Sequence, residues 1–504
     1  MSTSSSIIRE TYPLIPPFAH ALIQTDPNTH ETVYKVVETG LRSHERKVYN
    51  TIVNFLYEEI DQDFNELRKQ GEGEDEKYLI SKVREIVKNY RIAIDDKVLD
   101  KIFYFIKRDF IGFGRIEPIF KDHLIEDIDC DGPGIPIFVY HREHERIPTN
   151  IIFDDEAELD SFVIKLAQRA GRHISVASPL LDASLPDGSR IQLTYQKEVT
   201  ARGSTFTVRK FRSDPMTIVD LIQFNSIDEF QTAYFWMALE FKKSILISGG
   251  TASGKTTLLN SLAMFTKPGA KIVSIEDTAE INIPHENWIP SVARTGFGAT
   301  EADGRKRGEI DLFDLLRAAL RQRPDYLFVG EVRGAEAGTM FQAMATGHAG
   351  MGTIHGDSVA GVIRRLESNP MNIPRALIQS LNIIDVQRRV QRGNKMVRRS
   401  IEIVEIVGMD PVTGDLITNR TFAWNPRNDT FTYFGRSYVF EDIMNQQGMT
   451  EHELMAELER RQLIIKWMVK KGINYYKDVA QVVRDYYARP EEMIVQCKKD
   501  LKAV

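Results

Sequence analysis

The chain has 504 residues, 42% of them hydrophobic and 27% charged, an ordinary globular composition with room for about three domains of ~150 residues each. Its 65 basic and 71 acidic side chains leave a net charge of −6, which excludes the strongly basic footprint of wholesale nucleic-acid binding. Only Cys130 and Cys497 are cysteines, too few for a disulfide framework or a four-thiolate zinc site. No apolar run approaches the ~18 residues that span a bilayer. The N-terminus MSTSSSIIRE has neither the basic start nor the apolar core of a secretory signal, so a cytoplasmic location is expected.

In chain order, residues 32–109 read mostly as helix, with Val48, Ile52, Phe55, Leu56 and Ile60 at three- and four-residue spacing. The acidic, glycine-bearing stretch Gln70 to Lys77 reads as a surface connection between helices. From Ile111 the pattern turns to short alternating runs. Ile135 to Tyr140, Ile191 to Tyr195 and Thr205 to Val208 read as strands, and Asp155 to Arg169 as a helix. The polar, proline-bearing Phe211 to Met216 closes this segment, and Thr217 to Phe224 leads on.

After Ser244 the text runs apolar strand, glycine loop, helix, apolar strand, acidic residue, the order of a parallel sheet with crossover helices. Two hairpins follow, turning at Gly393-Asn394 and near Asn425 to Asp429. A helical tail opens with a capping box at Thr450 and Glu453. The expected layout is an N-terminal helical region over 1–100, a small α+β domain over 101–216 and an α/β domain with a helical tail over 217–504.

The segment Gly249-Gly250-Thr251-Ala252-Ser253-Gly254-Lys255-Thr256 is a complete Walker A pattern, placed directly after a strand and directly before a helix. Glycines let backbone N–H groups turn inward around phosphates, and the helix N-terminus adds partial positive charge. Lys255 is the expected partner of the β- and γ-phosphates, Thr256 a ligand of Mg²⁺, and Thr257 a further phosphate contact, so ATP and Mg²⁺ are the expected ligands. Two later strands end in carboxylates: Ile272 to Ile275 runs into Glu276 and Asp277, and Tyr326 to Val329 runs into Gly330-Glu331. In an open parallel sheet such ends face the ligand crevice, where a carboxylate can hold Mg²⁺ or orient water. Asp325, at the other end of its strand, is badly placed for either task.

Glu331-Val332-Arg333-Gly334-Ala335-Glu336 and the run Thr346 to His355, TGHAGMGTIH, resemble the Walker B and histidine boxes of secretion ATPases. Ile275 to Glu280, IEDTAE, resembles their aspartate box. RAALRQRPDYLFVGEVRG, PHENW, GFGRIEPIFKDHLIEDI and LPDGSRIQ extend the likeness over roughly residues 100 to 500. Within that superfamily the chain is most similar to the archaellum motor ATPase, and next to the archaeal type IV pilus assembly ATPase. The resemblance implies a RecA-like P-loop NTPase domain behind a smaller α+β domain. It implies a homo-hexamer that hydrolyses ATP with Mg²⁺ and works beneath a polytopic membrane platform protein with accessory cytoplasmic motor proteins. The implied place is peripheral, at the inner face of the cytoplasmic membrane, with anionic lipid as a candidate peripheral contact and no nucleic acid expected.

By the same resemblance Glu331 would orient the attacking water and join Thr256 and Glu276 at the metal. Glu276 and Glu280 would support metal or water, and His348 and His355 would sense nucleotide state. Arg190, Arg202 and Arg209 match arginines of the small domain that reach a phosphate in that family; surface or ion-pair roles are the alternative for each. The four-cysteine module of the bacterial pilus-extension relatives has no counterpart here, so zinc is not expected.

The basic run Arg388, Arg389, Arg392, Lys395, Arg398 and Arg399 either faces anionic lipid, nucleic acid or an acidic partner, or is a solvated hairpin or subunit contact. Thr295 to Glu309 reads as a mobile loop near the site, ordering with nucleotide or passive. Two other classes of function are compatible with a phosphate loop: a nucleic-acid translocase and a nucleotide-dependent scaffold without turnover.

Overall fold

The computed structural model describes residues 7–502 except 28, 61–63, 65–66, 68–70, 72, 212–213, 295, 301–305 and 394. The chain forms two compact units, residues 1–211 and 212–504.

The first unit begins with three strands, β1 (Ile7–Ile15), β2 (Ala19–Thr25) and β3 (Thr32–Glu38). The helical reading of residue 32 onward therefore fails for TVYKVVE. The segment is rich in β-branched residues, and its inward positions alternate, burying Tyr34 and Val36 on one face, which is strand chemistry. Helices Ser43–Glu59, Glu74–Asn89 and Asp96–Phe110 follow and pack on one another through Ile52, Leu56, Val83, Ile86, Ile102 and Ile106. Of the stretch read as a connection, Gln70 and Glu72 lie outside the described residues, and Glu74 to Lys77 already form a first helical turn. Glu74, Asp75 and Glu76 suit that place, because the helix dipole favours acidic residues there.

The rest of the sheet comes from β4 (Ile125–Cys130), β5 (Pro136–His141), β6 (Glu145–Ile152), β7 (Leu180–Ser184), β8 (Arg190–Thr194) and β9 (Thr205–Arg209). The strand order is β1-β2-β3-β6-β5-β4-β9-β8-β7. Tyr12 and Tyr34 donate hydrogen bonds of 2.7 and 2.6 Å to the Asp122 carboxylate, tying the N-terminal strands to the segment before β4.

The second unit contains β10 (Ile245–Gly249), β11 (Ile272–Glu276), β12 (Trp288–Val292), β13 (Phe297–Thr300), β14 (Lys306–Arg307), β15 (Tyr326–Val332), β16 (Ala349–His355), β17 (Ile383–Arg392), β18 (Lys395–Met409), β19 (Leu416–Asn425) and β20 (Thr430–Tyr433). The main sheet runs β12-β11-β15-β16-β10-β17-β18-β19-β20. Pairing is parallel from β12 to β17 and antiparallel from there on, giving an α/β domain of RecA-like type. All of β10 is buried, as a central parallel strand covered on both faces must be. The segment after β12, read as a mobile loop, holds the two-stranded β13–β14 pair; Thr295 and residues 301–305 lie outside the described residues.

The tail is part of this core. Helix Glu229–Glu240 is apolar nearly all round, so helix Glu451–Lys471 and those after it must cover it. Arg461, 2% exposed, ion-pairs with Glu240 and Glu457 and lies over the Trp236 ring at 5.3 Å. Among the described residues no helix is long and apolar enough to cross a membrane.

A second buried polar knot is Glu405 on β18. It accepts from Tyr234 Oη at 2.8 Å, Ser437 Oγ at 2.5 Å, the Tyr438 N–H at 2.7 Å and Asn419 Nδ2 at 3.0 Å. Glu405→Ala strands these donors in a fully buried site and should cost on the order of 3 kcal/mol, read as a lower thermal midpoint. Glu402→Ala, whose carboxylate meets Arg420 at 3.5 Å nearer the surface, should cost about 1 kcal/mol or less. Equal losses would contradict this ranking.

Candidate active site

Strand β10 ends in Gly249, and the next residues wrap back to helix Lys255–Ala263. A Cβ on Gly249 would overlap the Gln387 carbonyl oxygen and Ser253 Oγ, so the strand end tolerates only glycine. Ala252 (φ 57°) and Gly254 (φ 96°) are left-handed, which aims successive N–H groups to one side. Gly254 is the helix N-cap and no side chain caps the helix, so its first-turn N–H groups stay available to an anion. Lys255 Nζ and Ser253 Oγ both donate to the Gly250 carbonyl at 2.9 Å. A glycine cradle, an uncapped helix start and a lysine folded over the loop fit a polyphosphate.

Register brings the acidic groups to the same edge of the sheet. Gly249 on β10 lies beside His355 on β16, Val329 on β15 beside Gly352 on β16, and Ile275 on β11 beside Val329. Glu276, the last residue of β11, and Glu331, the last but one of β15, therefore stand at the strand ends on the loop's side of the sheet. Their environments differ. Glu276 is 2% exposed, packed against Gly330, and its Oε1 accepts the Glu280 and Ile281 N–H groups at 2.9 Å each. Burial outweighs those hydrogen bonds, and the neighbouring Glu280 charge adds to it, raising its pKa to about 8. Glu331 is half-buried and ion-paired with Arg333 Nε at 3.2 Å, while the same guanidinium meets Asp277 at 2.6 Å.

The structure separates the two box histidines. His355 ends β16 beside the loop, but His348 precedes β16, about 20 Å away along a seven-residue strand. There it lies within hydrogen-bond reach of the Ala343 carbonyl at 3.3 Å, at the C-terminal end of helix Glu336–Ala345. Asp325 shares that far edge, paired with Lys242 at 2.8 Å.

Of the three arginines, Arg190 and Arg209 are cross-strand neighbours on β8 and β9. Arg190 grips Asp182 through Nε at 3.0 Å and Nη2 at 2.5 Å, Arg209 faces Asp127 across β4, and Arg202 is exposed in the preceding turn. All three belong to the first unit.

Three groups escaped sequence reasoning. Arg333 bridges Glu331 and Asp277. Glu336 Oε1 accepts the Arg333 and Gly334 N–H groups at 2.7 Å each, which fixes the turn after Glu331. Asp385 on β17, fully buried two positions before Gln387, is bonded by Gln387 Nε2 at 2.7 Å and by Ser400 Oγ, and burial raises its pKa to about 7. The GEVRGAE spacing could have flagged the first two; nothing local marks Asp385.

Residues 112–493 match the family described as type II/IV secretion system protein. The chain belongs to this secretion family. A protein of Methanocaldococcus jannaschii is 37% identical over 480 residues, 91% of this chain and 86% of its own length. A putative conjugal transfer protein of Mycobacterium tuberculosis is 30% identical over 269 residues, 52% of this chain and 74% of its own. Similar solved structures include the Legionella pneumophila ATPase DotB, at 17% identity and a TM-score of 0.41 over 71% of this chain and 91% of that one. The pilus retraction motor PilT with bound ADP matches at 18% identity and a TM-score of 0.40, over 71% and 93%.

In this secretion-family protein the state of Glu276 has a measurable consequence. Its folded pKa lies above the unfolded value near 4.5, so the native state binds the extra proton and loses stability as pH rises from about 4.5 through 8. Glu276→Gln removes that loss and can still accept both N–H groups. In metal- and nucleotide-free protein, its melting temperature should gain on the wild type from pH 5 to pH 8. A constant difference across that range would show Glu276 to be ionised throughout.

Proposed function

We propose that the chain is an Mg²⁺-dependent ATPase, working as a hexameric motor that powers archaellum assembly or rotation beneath a membrane platform protein. The observation that carries the reading is the gathering of Lys255, Glu276 and Glu331 at one edge of the parallel sheet. A phosphate loop alone binds nucleotide; a paired carboxylate beyond the neighbouring strand adds the means to aim water at it.

In this reading the N–H groups of residues 250 to 256 and the Lys255 ammonium hold the phosphates, with Thr257 beside them. Thr256, Glu276 and Glu331 are the residues that would hold magnesium, which supplies positive charge to the phosphate oxygens. Glu331 orients the attacking water, and Arg333 restrains its carboxylate. Glu280 supports Glu276 from the turn that follows, and His355 stands where a change at the loop reaches β16. The position of His348 at the far edge argues against its acting at this loop. Arg190, Arg202 and Arg209 are the candidates for the cation that stabilises developing charge.

Family membership supports a secretion or filament machine; the archaellum branch rests on the sequence resemblance, with an archaeal pilus or secretion ATPase as the adjoining possibility. A peripheral position at the inner face of the cytoplasmic membrane belongs to the same reading.

Phosphate release with and without Mg²⁺, together with solution mass, tests it. Glu331→Gln should retain ATP binding and lose turnover by about 10²-fold or more, whereas Lys255→Ala should lose both. A wild-type chain that binds ATP tightly as a monomer and releases no phosphate would leave a non-hydrolysing scaffold as the better account.

A further inference from the structure

The β17–β18 hairpin carries six basic residues within twelve positions, and hydrolysis as described uses none of them. One of its arginines is buried. Arg399 is 4% exposed and forms a two-point pair with Asp429 at 2.8 Å through each nitrogen, with Nη1 also donating to the Phe224 and Arg398 carbonyls at 3.0 and 2.8 Å. Asp429 takes a further bond from Trp424 Nε1 at 2.8 Å, and these donors hold its carboxyl well below the usual range. Arg392 donates to the Pro426 carbonyl at 2.5 Å. The Ser400 N–H donates to the Ser226 carbonyl at 2.9 Å. The hairpin is thus pinned to the turn between β19 and β20 and to the segment 224–226, which makes the intervening strand a rigid support.

On that support Arg398 reaches the phosphate loop. Its Nε donates to the Ala252 carbonyl at 3.0 Å, and its Cδ would lie 3.4 Å from a Cβ placed on Gly254. Ala252 is the loop's non-glycine residue in the left-handed region, a conformation that persists only where surroundings hold it. On the other flank Arg388 Nη2 donates to the Asp357 carbonyl at 2.8 Å, and Asp357 Oδ1 would lie 3.4 Å from a Cβ on Gly250. Among the described residues no carboxylate pairs with Arg398, so its charge stands uncompensated beside a loop built for an anion.

We infer that Arg398 is a positioning residue for nucleotide: it holds the outer turn of the phosphate loop through the Ala252 carbonyl and keeps the loop N–H groups aimed at the phosphates. This rests on the reading of the loop as an ATP site. The basic run is accordingly a brace for that site in which Arg398 carries the contact and Arg399 fixes its place.

The test uses the full chain and MgADP by calorimetric titration, with ATP turnover alongside. Arg398→Met keeps the stem against Gly254 and removes the donor and the charge. It should weaken ADP binding and raise KM by about tenfold, change kcat less, and melt like the wild type without nucleotide. Arg398→Lys, which restores the charge and one N–H donor, should recover part of the affinity. Lys395→Ala, on the exposed tip, should bind as the wild type does. Wild-type ADP affinity in Arg398→Met would overturn the inference, as would a loss that follows a lowered nucleotide-free melting point and is not rescued by lysine. A wild-type chain that binds no ADP would instead overturn the reading of the loop as an ATP site.

Discussion

The close approach at Gly249 is the constraint on which the second unit depends. Strand β10 enters the loop between β16 and β17, and the Gln387 carbonyl occupies the space a side chain would need. Because the backbone passes so near, the loop that follows is packed against the central strands rather than held out from them. Every other feature of the site is placed relative to that passage: His355 by direct pairing with Gly249, Glu331 and Glu276 one and two strands beyond β16, and the hairpin arginines from the β17 side. A glycine here fixes distances in the way a strong bond would.

Around this point the two carboxylates have unlike surroundings. Glu276 is enclosed and favours its proton, whereas Glu331 is half-open and held by a guanidinium. Similar groups a strand apart acquire distinct tasks when burial acts on one and a cation on the other. The Arg333 fork, shared between Glu331 and Asp277, also links the ends of β15 and β11.

Much of this was legible in the sequence because it is local. The phosphate loop is eight consecutive residues between a strand and a helix, and the acidic strand ends follow from the apolar runs before them. The hairpins and the Thr450 capping box are equally short-range. What escaped depends on partners far away along the chain. The first strands pair with one another and join β6, over a hundred residues on, and TVYKVVE beside a helical stretch offers too few periods to separate two spacings from three and four. Asp385 is an unremarkable acidic residue until Ser400 folds across it. The basic run reads as a surface because charge runs mostly are; the carbonyls that consume it lie at Ala252, Asp357 and Pro426, and no pattern within the run names them. His348 and His355 look alike in text and stand at opposite edges because seven residues of strand separate them.

The burial of Trp236 under the tail carries a consequence for how the protein is made. Its stacked partner Phe265, the β-sheet below and helices as late as the one bearing Cys497 belong to a single apolar cluster that starts at Ile218. During synthesis that cluster cannot close until its last members have left the ribosome, so for nearly the whole translation of the second unit the apolar helix Glu229–Glu240 is without its cover. Domains emerging at ~5–20 residues per second expose such surfaces for many seconds. The first unit, with its own core, is free to finish folding in that interval, and the second closes its core only as the final helices arrive.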